Sequence, residues 1–144
     1  MIYWDTSCVL KLYARESDSE AWQEHALACR DDLVASALLE AELAYALTRK
    51  ERSGAIQPQA AERLLSMFRG DVEKGRFTLY PIGTDVLRTA IEIAIQCAKS
   101  AKTPTVRTLD GIHLATAQLL RCKAMATADQ RMRAAARILK IPLV

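Results

Sequence analysis

Short apolar runs alternate with longer stretches of helical periodicity along the whole chain, and this alternation limits the fold more than any other feature. IYW (2–4), DLVA (32–35), FTLYPI (77–82) and KAMATA (123–128) read as buried strands. Between them lie helical patterns. CVLKLYAR follows Ser7 as N-cap, and a second helix starts at Ser17 or Asp18 and runs through Cys29. ALLEAELAYALTRKERS is capped by Ser36 and stopped by Gly54, and Pro58 opens another helix to about Lys74. Further helices run from Thr84 or Asp85 to about Ala101, from Thr108 or Asp110 through LDGIHLATAQLLR, and over QRMRAAARIL. The final IPLV reads as an edge strand. Strands that alternate with helices predict an α/β domain with a mainly parallel sheet of four to five strands. With 144 residues and 51% hydrophobic composition, the chain is expected to form a single domain over 1–144 with a substantial core.

Several classes are excluded or disfavoured. No apolar run approaches the ~20 residues of a membrane span. Asp5 interrupts the first apolar stretch and no small-residue cleavage site follows, so no secretory signal is expected. Cys8, Cys29, Cys97 and Cys122 are far apart with no CxxC, which reads as reduced thiols and a cytoplasmic location. The five glycines are scattered, arguing against a P-loop or dinucleotide site, and there is no GxSxG. A phosphoaspartate enzyme would want a second Asp two residues after Asp5, where this chain has Ser7. His25 and His113 are not spaced as a zinc pair.

Charge is unevenly placed. Net charge is +3, but residues 99–144 carry nine Lys and Arg against two acids, Asp110 and Asp129. A basic half suits a polyanion, and equally a solvated surface.

Four carboxylates stand out. Asp5 and Asp129 each follow a strand directly and would reach the carboxyl edge of the sheet, where ligands bind in such folds. Each also precedes a helix and can cap it. Glu42 falls between Leu38 and Leu39 on the helical wheel, sharing that arc with Tyr45 and Ala46, whereas Glu40 falls on the other side with Ala44 and Thr48. A carboxylate on an apolar face needs compensation, from a buried Arg or from a metal ion. Asp110 lies in the first turn of a helix apolar almost all round, where it also complements the helix dipole. Four acids converging on one edge would raise at least one pKa by like-charge repulsion, and they make sense around a hard cation with oxygen ligands. His113 reads as a packed or hydrogen-bonding histidine, within reach of such a site.

MIYWDTSCVLKLY, SALLEAEL, RTLDGIHLATA and ATADQRM resemble, in order and along the whole chain, the four motif regions of PIN-domain proteins, in particular VapC-type ribonuclease toxins. The resemblance implies a three-layer α/β/α sandwich and an endoribonuclease that uses Mg²⁺ or Mn²⁺. It implies that Asp5, Glu42, Asp110 and Asp129 are the catalytic, metal-binding acids, with Thr6, Ser7 and Thr127 supporting them. Lys102, Arg131 and Arg133 are expected to hold the RNA backbone. A cognate antitoxin is the implied partner. The helices near 9–13 and 38–47 offer a surface where an antitoxin peptide or a second copy, forming a homodimer, is expected to lie. Gly111 stands where the family often has alanine. Alternatives from other classes are a non-catalytic PIN-fold protein acting through RNA or protein binding, and a PIN nuclease of RNA maturation.

Overall fold

The computed structural model describes residues 1–99 and 105–144. Four strands form one all-parallel sheet: β1 (Ile2–Trp4), β2 (Leu33–Ser36), β3 (Phe77–Tyr80) and β4 (Ala124–Ala126), in the order β3-β2-β1-β4. Ile2 pairs with Leu33 on one side and Ala124 on the other, so the first strand is central. The helices are α1 (Thr6–Tyr13), α2 (Ser19–Ala28), α3 (Leu38–Arg52), α4 (Ala60–Glu73), α5 (Thr84–Ala98), α6 (Thr108–Leu119) and α7 (Gln130–Ile138).

The period-2 alternation of strand side chains divides the core into two layers. Ile2, Trp4, Leu33, Ala35, Phe77 and Ala126 face one side, where α1 to α4 close over them through residues such as Val9, Leu39, Leu43 and Phe68. Tyr3, Val34 and Met125 face the other, covered by α5, α6 and α7 through Ile93, Leu114 and Ala135. This is the expected three-layer α/β/α sandwich. β1 and β2 are buried at every position because both of their faces are covered, which explains why they read as unbroken apolar runs.

Several boundaries differ from expectation: α4 begins at Ala60, two residues past Pro58, and β3 ends at Tyr80, before Pro81. Asp5, not Ser7, is the N-cap of α1. Ala37 occupies the N-cap position of α3, although Ser36 Oγ still accepts from the Leu38 N–H at 3.2 Å. IPLV makes only an isolated parallel bridge, Leu143 to Met125, because Pro142 has no N–H to extend a ladder. Gly54 does end α3, with φ +76. All four cysteines are free: Cys8 and Cys97 are buried, whereas Cys29 and Cys122 fall just past helix ends and are half-buried. No helix among the described residues is long and apolar enough to cross a membrane.

Candidate active site

Parallel strands deliver their C-terminal ends to one edge, and β1 and β4 are neighbours there. Asp5 follows β1, and Thr127 to Asp129 follow β4. The first residues of α6 and the second turn of α3 overhang the same edge. The result is a cavity of about 750 Å³ lined by Asp5, Glu42, Asp110 and Asp129, with Thr6 and Ser7. All four sequence-predicted carboxylates therefore share one cavity.

Capping and facing the cavity prove compatible, since a carboxylate has two oxygens. Asp5 Oδ1 accepts from the Ser7 N–H at 3.0 Å, the Cys8 N–H at 3.2 Å and the Ser7 hydroxyl at 2.6 Å. Its Oδ2 accepts from the Thr127 hydroxyl at 2.6 Å. Ser7 Oγ in turn accepts from the Ala128 N–H, and Thr127 Oγ1 from the Asp129 N–H, so the two hydroxyls lock the β1 and β4 ends together. Asp129 Oδ1 caps α7 through the Arg131 and Met132 amides at 2.7 and 3.2 Å. Its Oδ2 lies 3.5 Å from Arg107 and 3.8 Å from Arg131.

Asp5 is 2% exposed and meets no Lys or Arg among the described residues. Burial pushes its pKa up, against the lowering effect of the Ser7 and Thr127 hydroxyls. One acid is thus raised, as expected from the sequence, but desolvation is the leading cause in place of like-charge repulsion. Glu42 goes the other way. Burial would raise it, but hydrogen bonds from His113 and Thr6, together with the nearby Arg107, hold it below the usual glutamate range. Two carboxylates of one cavity are thus driven in opposite directions.

The compensation that the chain itself supplies to Glu42 is not an arginine in contact. It is His113, whose Nε2 lies 2.7 Å from Glu42 Oε2, and Thr6, whose hydroxyl donates to the same oxygen. Glu40, on the opposite side of the helix, pairs with Arg69 of α4.

Asp110 is 5% exposed and held on both oxygens by Arg107, which precedes α6. The Arg107 guanidinium is kept charged by Asp110, with Asp129 and Glu42 adding to the effect. Composition had shown that residues 99–144 are basic. It could not show that Arg107 reaches forward three residues to an acid of the helix it precedes, nor that Arg49, seven residues after Glu42 and so on the same helix face, lines the cavity. That i, i+7 spacing was the available signal. Of the expected RNA-binding residues, Arg131 lies beside Asp129. Arg133 Nη1 donates to the carbonyls of Thr127 and Val144, which ties down the C-terminus. Lys102 lies outside the described residues.

Among the described residues, no three His, Cys, Asp or Glu side chains come close enough to share one metal ion. The donor chemistry nonetheless fits a hard divalent cation. The acids offer only oxygen, and Asp5 is a buried carboxylate whose hydrogen-bond partners are all neutral. Arg107 supplies the positive charge now facing Asp110 and Asp129.

The PIN-domain family model matches residues 2–138. Ribonuclease VapC46 of Mycobacterium tuberculosis is 34% identical over 99% of this chain and 95% of its own length. Two solved structures share the fold. VapBC2 from Rickettsia felis, bound to a promoter DNA fragment, has a TM-score of 0.71 at 16% identity, covering 100% of this chain and 98% of that one. VapC20 of Mycobacterium tuberculosis, described as a sarcin–ricin loop cleaving toxin, has a TM-score of 0.68 at 14% identity, covering 94% and 95%. The chain belongs to the PIN-domain family, within its VapC ribonuclease toxin branch.

Proposed function

We infer that this chain is a divalent-metal-dependent endoribonuclease and the toxin of a toxin–antitoxin pair. The observation that carries the reading is the convergence of Asp5, Glu42, Asp110 and Asp129, from four separate elements, on one cavity that Arg49 and Arg107 also line. Asp5, Glu42 and Asp110, with Asp129 beside them, would have to draw closer than they stand here to hold Mg²⁺ or Mn²⁺, which would supply the Lewis acidity and positive charge for attack by water on a phosphodiester. Asp5 is fixed for that role by Ser7 and Thr127, and Glu42 by Thr6 and His113. Arg49 and Arg107 stand where they can pair with the RNA phosphates, which makes binding salt-sensitive. Because water is the nucleophile, the products carry 5′-phosphate and 3′-hydroxyl ends.

An antitoxin is the proposed partner, supported by the toxin–antitoxin complexes among proteins of the same fold. Leu10, Leu38, Tyr45 and Ala46 give the cavity wall an apolar flank on α1 and α3, and Tyr45 is 77% exposed. This is the proposed seat of the antitoxin peptide.

The test is expression of the chain in a bacterial host with and without any small protein encoded immediately upstream of it. The reading predicts growth arrest, relief by the partner, and relief by Asp110→Asn. RNA cleavage by the purified chain in the presence of chelator would sink the metal part of the reading. Absence of growth arrest with intact cleavage would favour RNA maturation over toxicity.

A further inference from the structure

Glu42 is held by His113, which lines the cavity, and His113 is held in turn by a group that the cavity does not reach. Tyr3, in the central strand, is wholly buried and is not part of the cavity wall. Its phenol oxygen accepts the Ser36 N–H, at the end of β2, at 3.0 Å, and lies 2.7 Å from His113 Nδ1. His113 is 2% exposed, and its Nε2 lies 2.7 Å from Glu42 Oε2. Both hydrogen bonds that the Glu42 side chain accepts among the described residues fall on Oε2, from His113 and Thr6.

For a neutral imidazole, donor and acceptor roles give the chain one direction. The Ser36 amide uses a lone pair of the phenol, which keeps one proton to give. His113 Nδ1 is placed to take it. The neutral ring then carries its own proton on Nε2, aimed at the carboxylate. This arrangement satisfies the Ser36 N–H, the Tyr3 hydroxyl, both ring nitrogens and Glu42 Oε2 together. The other neutral tautomer would point a lone pair at a carboxylate oxygen 2.7 Å away.

The geometry points to Tyr3 and His113 as positioning residues for the reaction: a buried phenol–imidazole relay, anchored on β2, that fixes Glu42 by Oε2 and turns Oε1 to the cavity. The assignment rests on the reading of Glu42 as an active-site carboxylate. Tyr3 is walled off from the cavity, so any effect of it on chemistry must pass through His113. Groups that orient a ligating carboxylate typically change affinity or activity by roughly 10–100-fold when removed.

The experiment compares the wild type with Tyr3→Phe, His113→Asn, His113→Gln and the Tyr3→Phe/His113→Asn pair. It measures RNA cleavage, Mn²⁺ affinity by calorimetry, and the imidazole tautomer by nitrogen NMR. Glutamine can place an N–H near the Nε2 position, whereas asparagine ends near Nδ1 and falls short of Glu42. His113→Asn is expected to lower kcat roughly 10–100-fold with KM for RNA unchanged, and to weaken Mn²⁺ binding by a similar factor. His113→Gln should recover most of both. Tyr3→Phe should cost less and add nothing on top of His113→Asn. Equal impairment in the two His113 variants, or additive losses with Tyr3→Phe, would mean that the ring only fills space, and would overturn the relay. If the wild type cleaves no RNA with Mn²⁺, it is the functional reading that fails. The NMR arm still judges the relay: an Nε2–H tautomer in the wild type that Tyr3→Phe perturbs supports it, and an Nδ1–H tautomer overturns it.

Discussion

Arg107 donates to both oxygens of Asp110, from Nε to Oδ2 at 3.0 Å and from Nη2 to Oδ1 at 3.1 Å, and the same Nη2 lies 3.5 Å from Asp129 Oδ2. One guanidinium thus faces two of the four acids from within the chain. A cation that bonds Asp110 competes with it for these oxygens.

Arg107→Gln is therefore expected to tighten Mn²⁺ binding severalfold while lowering the stability of the metal-free protein. Removing one partner of a bond to a buried group costs about 1–3 kcal/mol. Arg107 is itself more than half exposed, so the low end of that range applies. Calorimetric Mn²⁺ titration beside thermal melts in chelator measures both. Unchanged affinity would show that the guanidinium and the ion do not compete.

Asp5→Asn should stabilise the metal-free protein and abolish cleavage. Burial raises the Asp5 pKa in the folded state, so its charged form costs stability. The cost is absent below the unfolded value of ~3.9 and grows as pH rises through the raised native value. Melts in chelator should then show the variant ahead of wild type at neutral pH, with the gap closing in acid. With saturating Mn²⁺ the order should reverse.

Glu42→Gln should drop cleavage by orders of magnitude and weaken Mn²⁺ binding. Glu40→Gln should change neither by more than about twofold. The structure gives Glu40 an exposed partner in Arg69, and such a pair contributes about 0.2–1 kcal/mol to stability and nothing to the cavity. Parallel RNA gels and denaturation curves for the two variants check this.

Gly111→Ala should stabilise the protein by about 0.5–1 kcal/mol, since glycine inside a helix costs that much relative to alanine. The added Cβ would meet Ala90 of α5 at 3.8 Å, an ordinary contact. Cleavage should be unchanged. A loss of stability in urea melts would show that α5 and α6 pack more tightly than these distances imply.

The fold was legible because both strand and helix periods were clean. β1 and β2 are buried on both faces and read as unbroken apolar runs, and α6, buried from Asp110 to Ala117, read as apolar all round. The meeting of the four acids was legible for a related reason. Parallel strands send their C-terminal ends to one edge, and the wheel put Glu42 on the inner face of α3. What escaped the sequence was partnership across long separations. Tyr3 and His113 lie 110 residues apart, and nothing in either neighbourhood shows that one will bond the other. His113 could be read only as a packed or hydrogen-bonding histidine. Arg133 read as a free base, but it spends a guanidinium nitrogen on the Thr127 and Val144 carbonyls, a contact set by how the C-terminus folds back. Asp5 both caps α1 and lines the cavity, because its two oxygens take separate partners.

The most direct measurement of the central claim is cleavage of a defined single-stranded RNA with Mn²⁺ in ¹⁸O-labelled water, followed by mass analysis of the ends. Hydrolysis by water at the Asp5–Glu42–Asp110–Asp129 site predicts one labelled oxygen on the 5′-phosphate of the downstream fragment, a free 3′-hydroxyl upstream, and no product in chelator. Unlabelled fragments ending in a 2′,3′-cyclic phosphate, formed with or without metal, would contradict it.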